Sequence, residues 1–225
     1  MQFEDIIQYF AELGGQLITP QETFHSKLLN TDTFIFDWDG VFNRGEKMDH
    51  GGSPFSEPDS MGTNLIRLSY YLKFGTLPKI GIMTGAKNEG AQYLANREHF
   101  DFIIRGITDK NLSLQLLLEK FALQPEKVLF VWDDIIDLPV AKWAGTSIQV
   151  TRKENPLLNE FAIQHGYVDY VTSSRGGEYA VREIANLFVS AMGNASTCIE
   201  HRMSYSDTYQ KYFTNRNAGK TVQIR

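Results

Sequence analysis

Apolar residues along this chain come in short blocks separated by longer stretches with helical spacing. Runs rich in β-branched and aromatic residues recur at 33–37 (TFIFD), 79–84 (KIGIMT), 100–104 (FDFII), 127–132 (KVLFVW), 146–150 (TSIQV) and 167–171 (YVDYV). Each has the length and composition of a buried strand. Helical patterns fall between them, near 62–74, 88–97, 110–121, 135–143, 156–165 and 177–191, with a further one over 3–13. Strand alternating with helix predicts an α/β fold whose central parallel sheet is covered on both faces. No internal repeat and no low-complexity segment interrupts the series.

Two stretches break the alternation. Residues 42–61 (FNRGEKMDHGGSPFSEPDSM) are polar and rich in Gly and Pro, and predict a hairpin or flap after the first strand of the sheet. Residues 193–225 are mostly polar, with Tyr205, Tyr209, Tyr212 and Phe213 spaced along them, and read as a tail with a short helix. The expected organisation is an extension over 1–30, a catalytic α/β domain over 31–192 with its insert at 42–61, and a tail over 193–225.

The chemistry gathers where the strands end. Ligands of open α/β sheets bind beyond the carboxyl ends of the strands. The run at 33–37 leads into Asp37-Trp38-Asp39-Gly40, the next into Thr84-Gly85, the third through Arg105-Gly106 to Asp109-Lys110, and the fourth into Asp133-Asp134 with Asp137 shortly after. Carboxylates gathered in this way repel one another unless a cation sits among them, and an oxygen-only set suits Mg²⁺. A carboxylate can attack phosphorus, and residues two apart in an extended segment face the same way. Asp37 and Asp39 therefore fit one role of attack and one of acid–base transfer. Taken singly, each motif has a plainer reading: Asp-Gly as a turn, Thr84-Gly85 as a helix lead-in, Asp109 as a helix cap and Asp137 as a cap of the helix that follows.

The ordered set DWDGVF, IMTG, DK and WDDIID resembles the four motifs of the haloacid dehalogenase superfamily. A narrower resemblance, over about residues 30–190, joins Asp37–Phe42, Phe55…Asp59…Gly62, Asp133–Val140 and Gly176–Glu183 to the 3-deoxy-D-manno-octulosonate 8-phosphate phosphatase family. It implies a three-layer Rossmann-like fold with no large cap, a β-hairpin insert after the first strand, and a homotetramer in which a neighbour helps close each site. It also implies a phosphatase acting on an octulosonate- or nonulosonate-type sugar phosphate. On that reading Asp37 is the nucleophile and Asp39 the acid–base. Thr84, Gly85 and Lys110 hold the phosphoryl group. Mg²⁺ lies on Asp37, the Asp39 carbonyl and Asp133, with Asp134 and Asp137 in support; Asp134 either acts through water or orients Lys110. Where the family has Thr-Gly-Arg, with the Arg placed for the sugar acid's carboxylate, this chain has Thr84-Gly85-Ala86-Lys87. Lys87, one position later, and Arg175 are the candidate substrate-binding residues.

Alternatives from the same residues are a phosphotransferase or phosphomutase, and a non-catalytic binding protein on the same fold. A dehalogenase has no use for Asp39 or for Mg²⁺. Composition narrows the field further. The chain has 225 residues, 42% hydrophobic, with 22 basic and 27 acidic residues and a net charge of −5. That balance weighs against nucleic-acid and anionic-membrane partners. The lone Cys198 forms no intrachain disulfide, and the start of the chain does not read as a signal peptide, so a cytoplasmic protein is expected. His25, His50, His99, His165 and His201 are scattered without zinc-ligand spacing and are expected to pack or face solvent, with His50 in the expected hairpin.

Overall fold

The structure is a computed structural model that describes residues 2–48 and 52–225. Helix α1 (Phe3–Glu12), strand β1 (Gln16–Leu17) and helix α2 (Gln21–Asn30) precede the first strand expected from the sequence, β2 (Thr33–Phe36). Then follow α3 (Glu57–Phe74), β3 (Lys79–Thr84), α4 (Glu89–Arg97), β4 (Phe102–Arg105), α5 (Lys110–Lys120) and β5 (Val128–Trp132). After a 3₁₀ turn at Ile135–Asp137 come α6 (Leu138–Trp143), β6 (Thr146–Gln149), α7 (Pro156–Gln164), β7 (Tyr170–Val171) and α8 (Ala180–Met192). The chain ends with α9 (Ala195–Ser204), α10 (Asp207–Asn217) and β8 (Val222–Ile224).

The strands form one sheet in the order β1-β7-β6-β5-β2-β3-β4-β8, parallel throughout except for β1 against β7. Both faces are covered, which is why the central strands are apolar at nearly every position. Phe34 and Phe36 point into the layer formed by α1, α2, α3, α4 and α8, where Phe188 meets Phe34 edge-on. Ile35, Phe130 and Trp132 point the other way, into the layer of α5, α6 and α7. Strand β2 lies at the centre, with Phe36 opposite Ile82 of β3 on one side and Val131 of β5 on the other. The chain runs outward from β2 through β3 and β4, then returns to place β5 on the opposite flank. The β2–β5 boundary is therefore the switch point where a crevice opens.

Three expectations need correction. The extension over 1–30, where the sequence predicts one helix over 3–13, also holds α2, a helix with few apolar positions, which is anchored by buried Phe24 and Leu28 one turn apart. The insert after β2 shows no strand among its described residues. The Met48 N–H donates to the Gly52 carbonyl at 3.0 Å, and the helix begins earlier than expected, at Glu57. Ser56 caps it by accepting from the Asp59 amide, with Pro58 in the first turn, a start signal that outweighs the Gly and Pro content around it. Phe42 is fully buried against Trp38 and Phe55 packs on the same cluster, while Met48 is exposed. His50 lies outside the described residues.

The tail is the third correction. Tyr209, Tyr212 and Phe213 lie on α10, and Tyr209 and Tyr212 are buried with Leu68, Val189 and Cys198. The chain then returns to add β8 beside β4, Phe102 opposite Val222 and Ile104 opposite Ile224. Glu98 ties this segment down: its carboxylate accepts from Arg216 Nη1 at 2.9 Å, Asn64 Nδ2 at 2.8 Å and Arg97 Nε at 2.8 Å. Burial opposes the charge on Glu98, but Asn64, Arg216 and Arg97 together hold its pKa below the usual carboxylate value. Glu98→Ala is expected to cost about 3–5 kcal/mol, because it leaves Arg216 buried without its carboxylate. Denaturant unfolding checks this, and a loss below about 1 kcal/mol would contradict it.

Candidate active site

Asp37 follows β2 directly and is buried, 5% exposed. Its Oδ1 accepts from Lys110 Nζ at 2.6 Å. The lysine comes from the segment after β4, two strands along the sheet from β2. Asp109 caps α5 by accepting from the Asn111 amide at 2.9 Å, and Lys110, in the first turn, runs inward to become fully buried. Besides Asp37, its ammonium donates to the Met83 carbonyl at 2.6 Å and lies 2.8 Å from Asp137 Oδ1. Asp109 therefore has the capping role, while Lys110 is a buried cation braced by two carboxylates.

The carboxylates of Asp37, Asp133 and Asp137 lie close enough to share one cation, with one oxygen from each within 4.8 Å of the others. Asp137 is the acid that meets Lys110. Asp134, which the sequence offered as a partner for Lys110, instead accepts from the Ile135 amide at 2.7 Å and caps the 3₁₀ turn. That turn swings Asp137 inward and leaves Ile135 and Ile136 exposed. Gly40 has φ +86°, and a Cβ there would come within 1.8 Å of Asp133 Oδ2. A side chain at that position cannot coexist with the Asp133 carboxylate where it stands.

Burial pushes the Asp37 carboxyl up to about 7, with the charge of Asp137 adding to the shift and Lys110 opposing it. Burial and the neighbouring charge of Asp37 push Asp133 to about 8, against the pull of Arg152. Burial works against the charge on Lys110, but Asp37 and Asp137 outweigh it and keep the lysine firmly protonated. The two raised carboxyls carry protons in the folded state that the unfolded chain releases near pH 4. Stability without a cation therefore falls as pH rises through the window between those values. In chelator the melting temperature is expected to drop from pH 5 to pH 8, and Mg²⁺ to reverse the drop. A melting temperature that climbs over that range in chelator would contradict the burial argument.

Asp39 sits higher in the crevice, its side chain 22% exposed. Its carboxylate accepts from Ser53 Oγ at 2.6 Å and from Asn88 Nδ2 at 3.5 Å, and pairs with Lys47. Asn88 also caps α4 and donates to Ser53 Oγ at 3.0 Å, so the insert and the end of β3 together hold Asp39 in place. Thr84 is buried at the end of β3, with Gly85 beside it. Lys87 is exposed and lies over Gly106 at the end of β4. Arg175 is exposed, on a loop fixed by Glu183, whose buried carboxylate accepts from the Ser173 and Ser174 amides and from the Tyr170 hydroxyl, each at 2.8 Å.

Sequence reasoning missed Arg152. It follows β6 and places Nε 2.5 Å from Asp133 Oδ2, across Gly40. The strand-end rule that selected Asp37 and Asp133 also applies to it. Lys47, Ser53 and Asn88 carry no motif of their own and become visible only through the fold. The four histidines among the described residues have packing partners: His25 meets the Ala191 carbonyl, His99 that of Gly219, His165 that of Phe161, and His201 meets Ser206 Oγ. Cys198 is buried, which raises its thiol to about 11 and keeps it from acting as a nucleophile.

No family model matches the chain. It is 31% identical over 176 residues to the 3-deoxy-D-manno-octulosonate 8-phosphate phosphatase of Escherichia coli (strain K12), covering 75% of this chain and 84% of that protein. Among solved structures, it resembles the enzyme of the same name from Yersinia pestis, with a TM-score of 0.62 and 28% identity over 76% of this chain and 88% of the other. The fold is also that of the phosphatase of that name from Moraxella catarrhalis, described in complex with magnesium, phosphate and KDO. There the TM-score is 0.64 at 24% identity, over 80% of this chain and 98% of the other.

Proposed function

Since the chain belongs to the 3-deoxy-D-manno-octulosonate 8-phosphate phosphatase family of the haloacid dehalogenase superfamily, we propose that it hydrolyses a sugar phosphate of the octulosonate or nonulosonate type through an aspartyl phosphate on Asp37. The observation that carries this reading is the pairing of Asp37 with buried Lys110 beside Asp133, at the switch point of the sheet. Asp37 attacks phosphorus, and the bond to the leaving oxygen breaks as Asp39 gives that oxygen its proton. Asp39 then takes a proton from the water that attacks the aspartyl phosphate, releasing inorganic phosphate and regenerating Asp37. Lys110 neutralises the phosphoryl charge and holds Asp37 in line, while Thr84 and the Gly85 amide bind phosphoryl oxygens.

The donor set fits Mg²⁺. Asp37 and Asp133 are buried carboxylates crowded together, and with the Asp39 carboxylate engaged by Ser53, Asn88 and Lys47, the Asp39 backbone carbonyl is the third ligand in this reading. The ion would be held by those three residues and would supply charge neutralisation for the transferred group. Hydrolysis of p-nitrophenyl phosphate is therefore expected to need Mg²⁺ and to be inhibited by Ca²⁺. Calcium prefers ligands at about 2.3–2.6 Å rather than about 2.0–2.1 Å, and can engage both Asp37 oxygens. Full activity in excess chelator would overturn the metal assignment.

A cytoplasmic homotetramer belongs to the same proposal. Among the described residues no helix is long and apolar enough to cross a membrane. Ile135, Ile136 and Leu157 are exposed beyond the strand ends, where a neighbour would cover them. Phe42 and Phe55 already pack within their own chain, so these rim residues, more than the insert, supply the apolar surface for assembly. Light scattering that gave a monomer at micromolar concentration would exclude it.

A further inference from the structure

We propose that Ser53 of the insert and Asn88 after β3 are positioning residues that aim one oxygen of Asp39 at the leaving group, and so set how well esters of poor leaving groups are cleaved. This rests on the assignment of Asp39 as the acid–base and names the residues through which that role is exerted.

The contacts run in one direction, and the start of α4 sets it. Asn88 is fully buried and caps that helix. Its Oδ1 accepts from the Gly90 amide at 3.1 Å and the Ala91 amide at 3.4 Å. A helix start offers only N–H donors, so the oxygen of the side-chain amide must face it. Nδ2 then faces the other way and donates to Ser53 Oγ at 3.0 Å. A hydroxyl has a single proton to give. With Asn88 donating to its oxygen, Ser53 directs that proton to Asp39 Oδ1 at 2.6 Å. The helix cap thereby determines which oxygen of Asp39 is held.

Ser53 is itself fixed in this line. It is buried, and its amide donates to Asn88 Oδ1 at 3.4 Å, so one side chain grips both its backbone and its hydroxyl. The insert lies directly on the start of α4: a Cβ at Gly90 would come within 2.3 Å of the Ser53 carbonyl. Further on, Phe55 stacks on Tyr93 of α4 and meets Trp38 edge-on. The segment is strapped to α4 by these contacts.

The two oxygens of Asp39 differ as a result. Oδ1 is taken by Ser53, with Asn88 Nδ2 at 3.5 Å. Oδ2 pairs with Lys47, whose side chain is 46% exposed, a partner that an incoming phosphate can draw off. Oδ2 is therefore the oxygen that exchanges the proton. As the bond from phosphorus to the leaving oxygen breaks, its electron pair stays on that oxygen and the proton passes there from Oδ2. A well-placed acid contributes about 10²–10⁴-fold, and the gain shrinks as the leaving anion becomes stable by itself. Phenolate needs the proton far more than p-nitrophenolate does.

The test compares phenyl phosphate with p-nitrophenyl phosphate in Ser53→Ala and Asn88→Ser. Serine caps a helix about as well as asparagine, so Asn88→Ser preserves the start of α4 while removing the amide donor. In each variant kcat/KM for phenyl phosphate is expected to fall about tenfold to a hundredfold, the scale of a charge-assisted hydrogen bond. For p-nitrophenyl phosphate it is expected to fall less than about threefold. On that ester kcat and KM are expected to fall together, with a burst of p-nitrophenolate, because Asp39 is also the base that clears the aspartyl phosphate. Ser53→Thr, which keeps a hydroxyl, is expected to recover part of the loss on phenyl phosphate. Parallel falls on both esters, or no fall on phenyl phosphate, would overturn the role of the residue changed. The readout is a ratio within one preparation, so a partly folded variant still decides it. Asp39→Asn separates the two levels. A selective loss of kcat/KM on phenyl phosphate there, with none in Ser53→Ala or Asn88→Ser, defeats the positioning and leaves the acid–base role standing. An equal loss on both esters in Asp39→Asn, or a wild type that cleaves neither in Mg²⁺, defeats that role and the positioning with it.

Discussion

Asp37→Asn is expected to reduce kcat by roughly 10⁴-fold or more, the scale seen when a nucleophile is removed. The amide keeps the shape of the side chain and can still meet Lys110 through its oxygen, so the crevice persists. It is a far poorer nucleophile and cation ligand. Folding is expected to be spared, since the substitution also removes a buried carboxylate crowded by Asp133 and Asp137. A melting temperature at or above that of the wild type in chelator, together with lost turnover, is the expected pair of results. Turnover within a few-fold of wild type would contradict the assignment of Asp37.

Lys110→Met has the second large effect, and it reaches both stability and chemistry. The ammonium is the shared donor to Asp37, Asp137 and the Met83 carbonyl, and no part of its side chain is exposed. An apolar side chain of similar length leaves those acceptors buried and facing one another. The expected cost is about 3–5 kcal/mol in chelator, which for a chain of this size lowers the melting temperature by on the order of 10 °C. Hydrolysis is expected to fall by about 10³-fold, because one preorganised charge opposite the transferred group is gone. Differential scanning calorimetry and the p-nitrophenyl phosphate assay check the two effects separately. A melting temperature unchanged within about 2 °C would mean that the carboxylates do not depend on the lysine.

What could be read from the sequence followed from local rules. Asp37, Thr84 and Asp133 could be placed because each ends a strand apolar enough to recognise, and strand ends in an open α/β sheet converge. Lys110 could be placed by its position one residue after a capping Asp. The choice between Asp134 and Asp137 could not be made, because a single 3₁₀ turn decides which carboxylate swings inward, and that geometry leaves no periodic mark. Arg152 stood at a strand end and was legible in principle, but an isolated arginine after TSIQV resembles any solvated residue. Strand β8 was hidden because three residues, Val222–Ile224, carry too little pattern to register, and only pairing with β4 makes them a strand. The hairpin or flap expected in the insert rested on its polar, Gly- and Pro-rich composition as well as on family resemblance. In this chain Ser56-Glu57-Pro58 draws the following helix back into that segment.

The central claim is a covalent phosphoryl intermediate on one carboxylate, and it can be trapped. The enzyme is mixed with substrate and Mg²⁺, quenched in acid within one turnover and reduced with borohydride, which converts an acyl phosphate into a homoserine side chain. Peptide mass spectrometry then locates the change. The account predicts conversion at position 37 in the wild type and none in Asp37→Asn. Conversion at Asp39 or Asp133, or turnover with no conversion at any carboxylate, would contradict it.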